Sequence, residues 1–231
     1  CYSLGVTCLF GTNTFLRAYA NNAHEYDMYR MRFVIAGAEK LTDDTRALWS
    51  ERFGIRIFEG YGATEASPVL AVNHPLAARR GTVGRLLAAM EYYLEPVDGI
   101  AEGGELVVRG PNVMQGYLFH GSDGAIIRPW TQRGGPGWYA TGDIVALDDG
   151  GYVSIKGRAK RFAKVGGEMV SLAIVEELAA QLWPDGHHAA LAVPDPRKGE
   201  HIVLYTDVAA VNRADLVAAA RAGAHSELVL P

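Results

Sequence analysis

Over residues 1–80, short apolar runs bounded by glycine alternate with stretches of helical period. Val6 to Phe10 and Arg32 to Ala36 predict buried strands. Thr42 is placed to cap a helix whose first turn carries Asp43 and Asp44, charges that suit the positive end of a helix dipole. Leu48, Trp49 and Phe53 would line the buried side of that helix. Ile55 to Phe58 predicts the next strand, which leads straight into a glycine-rich turn at Gly60. Strand, helix and strand in this order imply a parallel α/β sheet, and ligands of such sheets sit at the strand ends.

From Gly81 the pattern changes to short β-rich runs cut by Gly, Pro and Asp. Tyr92 to Leu94, Glu105 to Arg109 and Tyr152 to Ile155 predict strands, with Asp148 to Gly151 as a hairpin turn. A small barrel-like antiparallel arrangement fits. After Lys164 the pattern changes again. Ser171 is placed to cap a helix with Leu172, Val175, Leu178 and Leu182 on one stripe. His188 to Val193 and His201 to Thr206 predict two strands, and Ala214 to Ala222 an Ala-rich helix. The expected organisation is an α/β part over 1–80, a β-rich barrel-like part over 81–159 and a small α+β domain over 160–231.

Composition narrows the function classes. The chain has 231 residues, 49% of them hydrophobic, enough for one large or two modest cores. A formal net charge of −4 argues against a general nucleic-acid binder, which presents a basic face. No apolar run approaches the roughly 18 residues of a membrane span, and no leader pattern opens the chain. A soluble cytoplasmic segment is the expectation. The two cysteines, Cys1 and Cys8, have no metal-ligand spacing and read as reduced thiols in a core strand.

Three motifs carry candidate chemistry. In Glu59-Gly-Tyr-Gly-Ala-Thr-Glu65, two glycines allow close backbone approach, the Thr64 hydroxyl can bond phosphate and Glu65 can hold a hard cation. An ordinary strand-to-helix turn capped by Thr64 gives the same heptapeptide. A dinucleotide fingerprint does not fit, because Glu65 stands where that pattern requires a small residue. In Trp138-Tyr-Ala-Thr-Gly-Asp143, the carboxylate after a Thr-Gly turn can accept from both hydroxyls of a ribose, or simply close a turn. The segment Gly157 to Gly167 holds Arg158, Lys160, Arg161 and Lys164. It reads either as a solvated basic loop or as a recruiter of phosphates, where arginine's planar fork bonds two oxygens at once.

In this order the motifs resemble the adenylate-forming superfamily. The stretches Tyr29 to Leu41 and Gly157 to Leu172 are most similar to the synthetase portion of the bacterial bifunctional acyl-acyl-carrier-protein synthetases and 2-acylglycerophosphoethanolamine acyltransferases. The resemblance implies the adenylate-forming fold, incomplete at both ends, and a two-step ligase reaction. A fatty acid and Mg²⁺-ATP give an acyl-adenylate, and a phosphopantetheine thiol of acyl carrier protein, or alternatively of CoA, displaces AMP. A non-catalytic nucleotide-binding or interaction module is the reading from another class.

Position by position, the resemblance implies that Gly37 and Ala38 flank the adenine on one side and Glu59, Gly60 and Tyr61 on the other. Thr64 would bond phosphate and Glu65 would hold Mg²⁺. Asp143 and Arg158 would bind the ribose, Lys160 would be the pivot of a hinge, and Gly166 and Gly167 would line the thiol's approach. The family's upstream phosphate loop and its adenylation lysine have no counterpart in this sequence, and Met169 stands where some relatives have arginine. The chain alone is therefore expected to catalyse poorly. Any membrane association, at the cytoplasmic face of the bacterial inner membrane, is expected to come from regions outside it.

Overall fold

The structure, a computed structural model, describes residues 1–196, 199–223 and 227–231. The chain divides into two compact units. One comprises Cys1–Tyr93, Val107–Thr141 and Leu147–Ile155; the other Leu94–Leu106, Gly142–Ala146 and Lys156–Pro231.

The first unit opens with β1 (Cys8–Gly11), α1 (Asn13–Asn22), β2 (Phe33–Ala36), α2 (Asp43–Phe53), β3 (Ile57–Gly62), β4 (Val69–Val72) and β5 (Arg85–Leu86). These strands form one sheet in the order β1-β2-β3-β4-β5. The β1–β2 and β2–β3 pairs are parallel, as the strand–helix–strand alternation implies, but β4 and β5 are added antiparallel. The sheet is thus mixed rather than wholly parallel. β3 also runs further than its apolar residues suggest. Pairing with β4 draws Gly60, Tyr61 and Gly62 into the strand, with a register shift between Tyr61 and Gly62. What read as a glycine-rich turn is the end of a strand.

Local chemistry fixes the helices. Thr42 Oγ1 accepts the Thr45 amide at 3.3 Å, and Gly54 ends α2 in the left-handed conformation (φ 66°) that glycine adopts without cost. Trp49 is fully buried, packs its ring 5.2 Å from that of Phe53 and donates its indole N–H to the Leu16 carbonyl at 2.8 Å. Arg52 donates to the Ala20 carbonyl and, at 2.8 Å, to that of Ala23, serving acceptors that the end of α1 leaves unpaired. Cys1 and Cys8 are both exposed free thiols. The expectation of buried thiols in a core strand fails: Cys1 lies ahead of any strand, and Cys8 opens β1 at the edge of the sheet.

The middle of the chain supplies β6 (Glu91–Glu95), β7 (Gly104–Arg109), two short hairpins, β8 (Tyr117–Leu118) with β9 (Ile126–Ile127) and β10 (Trp130–Thr131) with β11 (Gly135–Pro136), and then β12 (Tyr139–Leu147) and β13 (Val153–Arg158). β13, β12, β7 and β6 pair in that order. The Asp148 turn forms as expected: its Oδ1 accepts the amides of Gly150 (2.8 Å) and Tyr152 (3.0 Å). Those amides, that of Tyr152 first, hold its carboxyl below the ordinary range.

In the second unit, β14 (Phe162–Val165), β15 (Glu168–Ser171), α3 (Leu172–Leu182), β16 (His188–Asp195), β17 (Gly199–Thr206) and α4 (Arg213–Ala222) complete the chain. The sheet order is β15-β14-β17-β16. The stripe Leu172, Val175 and Leu178 is buried with Ala190, Ile202 and Leu216 in one core. Ser171 stands at the N-cap of α3, but its side chain makes no cap hydrogen bond. Asn212 caps α4 instead as expected of its type, accepting the Ala214 amide at 2.9 Å. Among the described residues no helix is long and apolar enough to cross a membrane.

Candidate functional site

The candidate residues fall into two sets, one in each unit. In the first unit, parallel pairing sets Ala36 beside Glu59, so Gly37 and Ala38 leave the end of β2 next to the end of β3. A Cβ on Gly37 would lie 3.6 Å from the Gly60 carbonyl oxygen, which brings two of the adenine candidates face to face. Ala38 holds φ at 66° and is exposed, a conformation that disfavours any side chain. Tyr61 is buried. The Glu59 carboxylate is ion-paired with Arg46 Nη2 at 2.7 Å, both side chains being mostly covered.

Gly62 is sterically obligatory. A Cβ there would lie 2.7 Å from the Pro68 carbonyl carbon and 3.0 Å from Val69 Cα, and closer still to the Pro68 oxygen. This tight crossing lets the Ala63 amide donate to Pro68 O at 2.9 Å. The chain then turns through a short 3₁₀ element, Thr64–Ala66, which leaves Thr64 exposed and Glu65 half-buried.

That turn is gripped from residues 112–117. Asn112 Nδ2 donates to the carbonyls of Ala66 (2.7 Å) and Val69 (2.9 Å). The Met114 amide donates to Glu65 O at 2.8 Å, and the Tyr117 hydroxyl to Glu65 Oε1 at 2.9 Å. Desolvation, followed by the bond to Glu65, raises the Tyr117 phenol above its ordinary value. Asn112, Met114 and Tyr117 carry no local motif, and sequence reading missed them. The one available signal was Gly116, at φ 151°, whose Cβ would strike the backbone of Ile127.

In the second unit, Asp143 lies on β12, buried, and faces the end of β13, where Arg158 Nε approaches its Oδ1 at 3.2 Å. The two proposed ribose ligands are therefore neighbours, one buried and one exposed. Gly142, at φ 75°, donates its amide to Glu105 Oε1 at 3.1 Å and shapes the turn before the carboxylate.

The basic run after Gly157 is more structured than a solvated loop. Residues Ala159–Arg161 form a 3₁₀ turn, with Lys160 exposed at its centre. Arg161 Nη2 pairs with Glu176 Oε2 at 2.6 Å, and Glu176 Oε1 also accepts the Ala190 amide at 2.8 Å. Lys164 Nζ lies 3.5 Å from Asp98. Arg158, Arg161 and Lys164 thus each have a carboxylate within ion-pair distance. Gly166 (φ 61°) and Gly167 (φ 94°) close a tight hairpin between the paired residues Val165 and Glu168, a turn that wants positive φ at both positions. Gly167 also lines an open cavity of about 370 Å³ with Lys164, Gly199 and Glu200.

Comparison with known proteins identifies the family. The AMP-binding enzyme family matches residues 1–118, and the chain belongs to it. It is 30% identical over 207 residues to a long-chain-fatty-acid–CoA ligase of Yersinia pestis, covering 86% of this chain and 36% of that protein. It is 32% identical over 210 residues to a medium-chain fatty-acid–CoA ligase of Escherichia coli, again covering 86% and 36%. Among solved structures, ATP-bound MatB from Rhodopseudomonas palustris aligns with a TM-score of 0.74 at 26% identity, over 100% of this chain and 47% of that one. Unliganded O-succinylbenzoate coenzyme A synthetase of Bacillus subtilis aligns with a TM-score of 0.77 at 23% identity, over 99% and 49%, a likeness of fold. The chain spans about a third of the length of the curated relatives it matches.

Proposed function

We propose that the protein to which this chain belongs is an acid–thiol ligase that activates a fatty acid with ATP and passes the acyl group to the thiol of CoA. The observation that carries this reading is the Thr64–Ala66 turn at the end of β3, with an exposed hydroxyl and an anchored carboxylate side by side. Curated relatives that are fatty-acid–CoA ligases support CoA as acceptor over the carrier-protein thiol that the sequence resemblance favoured.

The donor chemistry fits the reactants. Among the described residues no three or more His, Cys, Asp or Glu side chains converge into a metal cage. One carboxylate beside a hydroxyl suits Mg²⁺, which keeps waters and arrives on substrate phosphates rather than in a protein cage. Mg²⁺ would neutralise charge on those phosphates. Glu65 is proposed as its protein ligand and Thr64 as a phosphate contact. The backbone of Gly37 and Ala38 on one side, and of Glu59, Gly60 and Tyr61 on the other, would frame the adenine. The ion pair of Glu59 with Arg46 leaves its main chain as the adenine contact. Asp143 and Arg158 would bind the ribose, the carboxylate accepting from its hydroxyls. Lys160 is proposed as the hinge pivot and Gly166–Gly167 as the bare edge along which the thiol arm passes.

The test is fatty-acid-dependent exchange of pyrophosphate into ATP by the intact protein, followed by thioester assays with CoA and with acyl carrier protein. Exchange with fatty acids and thioester with CoA is the expected result. Thioester with carrier protein alone would reassign the acceptor, and no exchange with any carboxylate would overturn the ligase reading.

A further inference from the structure

The Glu65 carboxylate does not reach its position from its own turn alone. Residues 64–66 form a single 3₁₀ turn following Ala63, which makes no side-chain cap hydrogen bond. Short turns of this kind fray unless their polar groups are tied elsewhere. Here four ties come from residues 112–117: two from Asn112 Nδ2, one from the Met114 amide and one from Tyr117 Oη. They take hold of the backbone carbonyls of Glu65, Ala66 and Val69 and of the Glu65 carboxylate. We propose that residues 112–117 are a positioning strap for the metal carboxylate, with Tyr117 as the residue that orients Glu65 toward Mg²⁺ on the bound nucleotide.

The inference rests on the ligase reading for what Glu65 holds, but not for the strap itself. Tyr117 donates to Oε1 at 2.9 Å, which engages one lone pair of that oxygen. A carboxylate held in this way has less rotamer freedom left to lose when it meets a cation. Partners behind a metal ligand commonly matter at the level of roughly tenfold to a hundredfold in metal affinity. Tyr117 is in turn placed by Gly116, where a side chain would strike Ile127, and by the Tyr139 hydroxyl, which also bonds to the phenol. Behind the Glu65 carboxylate, within the first unit, stand the hydroxyls of Tyr117 and then Tyr139.

The test compares wild type with Tyr117→Phe, which keeps the ring and removes the hydroxyl, and with Glu65→Gln, which keeps an acceptor for Tyr117 and removes the charge. ATP is titrated calorimetrically into each with excess Mg²⁺ and with EDTA. In Tyr117→Phe the affinity for metal-free ATP stays within about twofold, while the gain on adding Mg²⁺ falls roughly tenfold. In Glu65→Gln that gain disappears. An unchanged Mg²⁺ gain in Tyr117→Phe, or equal losses with and without metal, overturns the positioning role. Amide hydrogen exchange on the nucleotide-free proteins gives the second measurement. Tyr117→Phe speeds exchange in 64–66 and 112–117 and nowhere else, and Glu65→Gln leaves it near wild type. If wild type binds no ATP, the ligase reading falls and the strap stands or falls by exchange alone: unaltered exchange in Tyr117→Phe refutes it.

Discussion

Gly62→Ala tests how the end of β3 is built. The added methyl would lie 2.7 Å from the Pro68 carbonyl carbon and 3.0 Å from Val69 Cα. Ordinary carbon contacts sit at about 3.5–4.0 Å and the Pro68 oxygen is nearer than either atom, so β3 and β4 must part by more than about 1 Å at that point. Parting them loses the hydrogen bond from the Ala63 amide to Pro68 O, worth about 1 kcal/mol net. The residual crowding resembles an overpacked core, at about 1–3 kcal/mol. Together the cost is about 2–4 kcal/mol, or a fall of roughly 5–15 °C in Tm for a chain of this size. Gly60→Ala is the control, since its Cβ would meet nothing closer than 3.5 Å. It should melt within about 2 °C of wild type, because alanine fits an extended position freely. Thermal melts followed by circular dichroism decide the matter. A Gly62→Ala protein with the wild-type Tm, or a Gly60→Ala protein equally destabilised, would refute the close-crossing account of this strand end.

Two further outcomes follow from buried and charged contacts. Trp49→Phe should cost about 2 kcal/mol, measured by urea unfolding, because it removes indole volume from a fully buried site and the 2.8 Å bond to Leu16 O. Asp207 has its carboxyl lowered first by the His187 backbone amide, at 2.7 Å, and then by the His187 ring. A carboxyl with a lowered folded value contributes stability above its unfolded value and loses it as pH falls through the folded one. The stability difference between wild type and Asp207→Asn should therefore be full near about pH 6 and shrink below about pH 4, read by urea midpoints across that range. A difference that grows toward acid would contradict the assignment.

Legibility in the sequence follows the range of the interactions. α2 was readable because its signals are local: Thr42 three residues from the amide it caps, acidic residues in the first turn, Gly54 at the end. The buried stripe of α3 was readable for the same reason. The extension of β3 through Gly62 was not, since it depends on pairing with β4, and a glycine-rich string by itself suggests a turn. Ser171 has the right identity for a cap but sits at the end of β15, buried, where its side chain is not turned to the helix amides. Within the candidate site, Thr64, Glu65, Asp143 and Arg158 could be picked by motif, and the structure sets the last two 3.2 Å apart. Tyr117 lies 52 residues from Glu65 and could be found only in three dimensions.

The ion pairs around Lys160 have a mechanical consequence. Arg158, two residues before it, is held to Asp143, and Arg161, directly after it, is riveted to Glu176 on α3. Between the two clamps lie only Ala159 and Lys160, and the peptide bonds themselves do not turn. A swivel at Lys160, as proposed above, would turn on the φ and ψ angles of Ala159 and Lys160 while both ion pairs hold, and would spread along the chain once either of these partly exposed pairs parted.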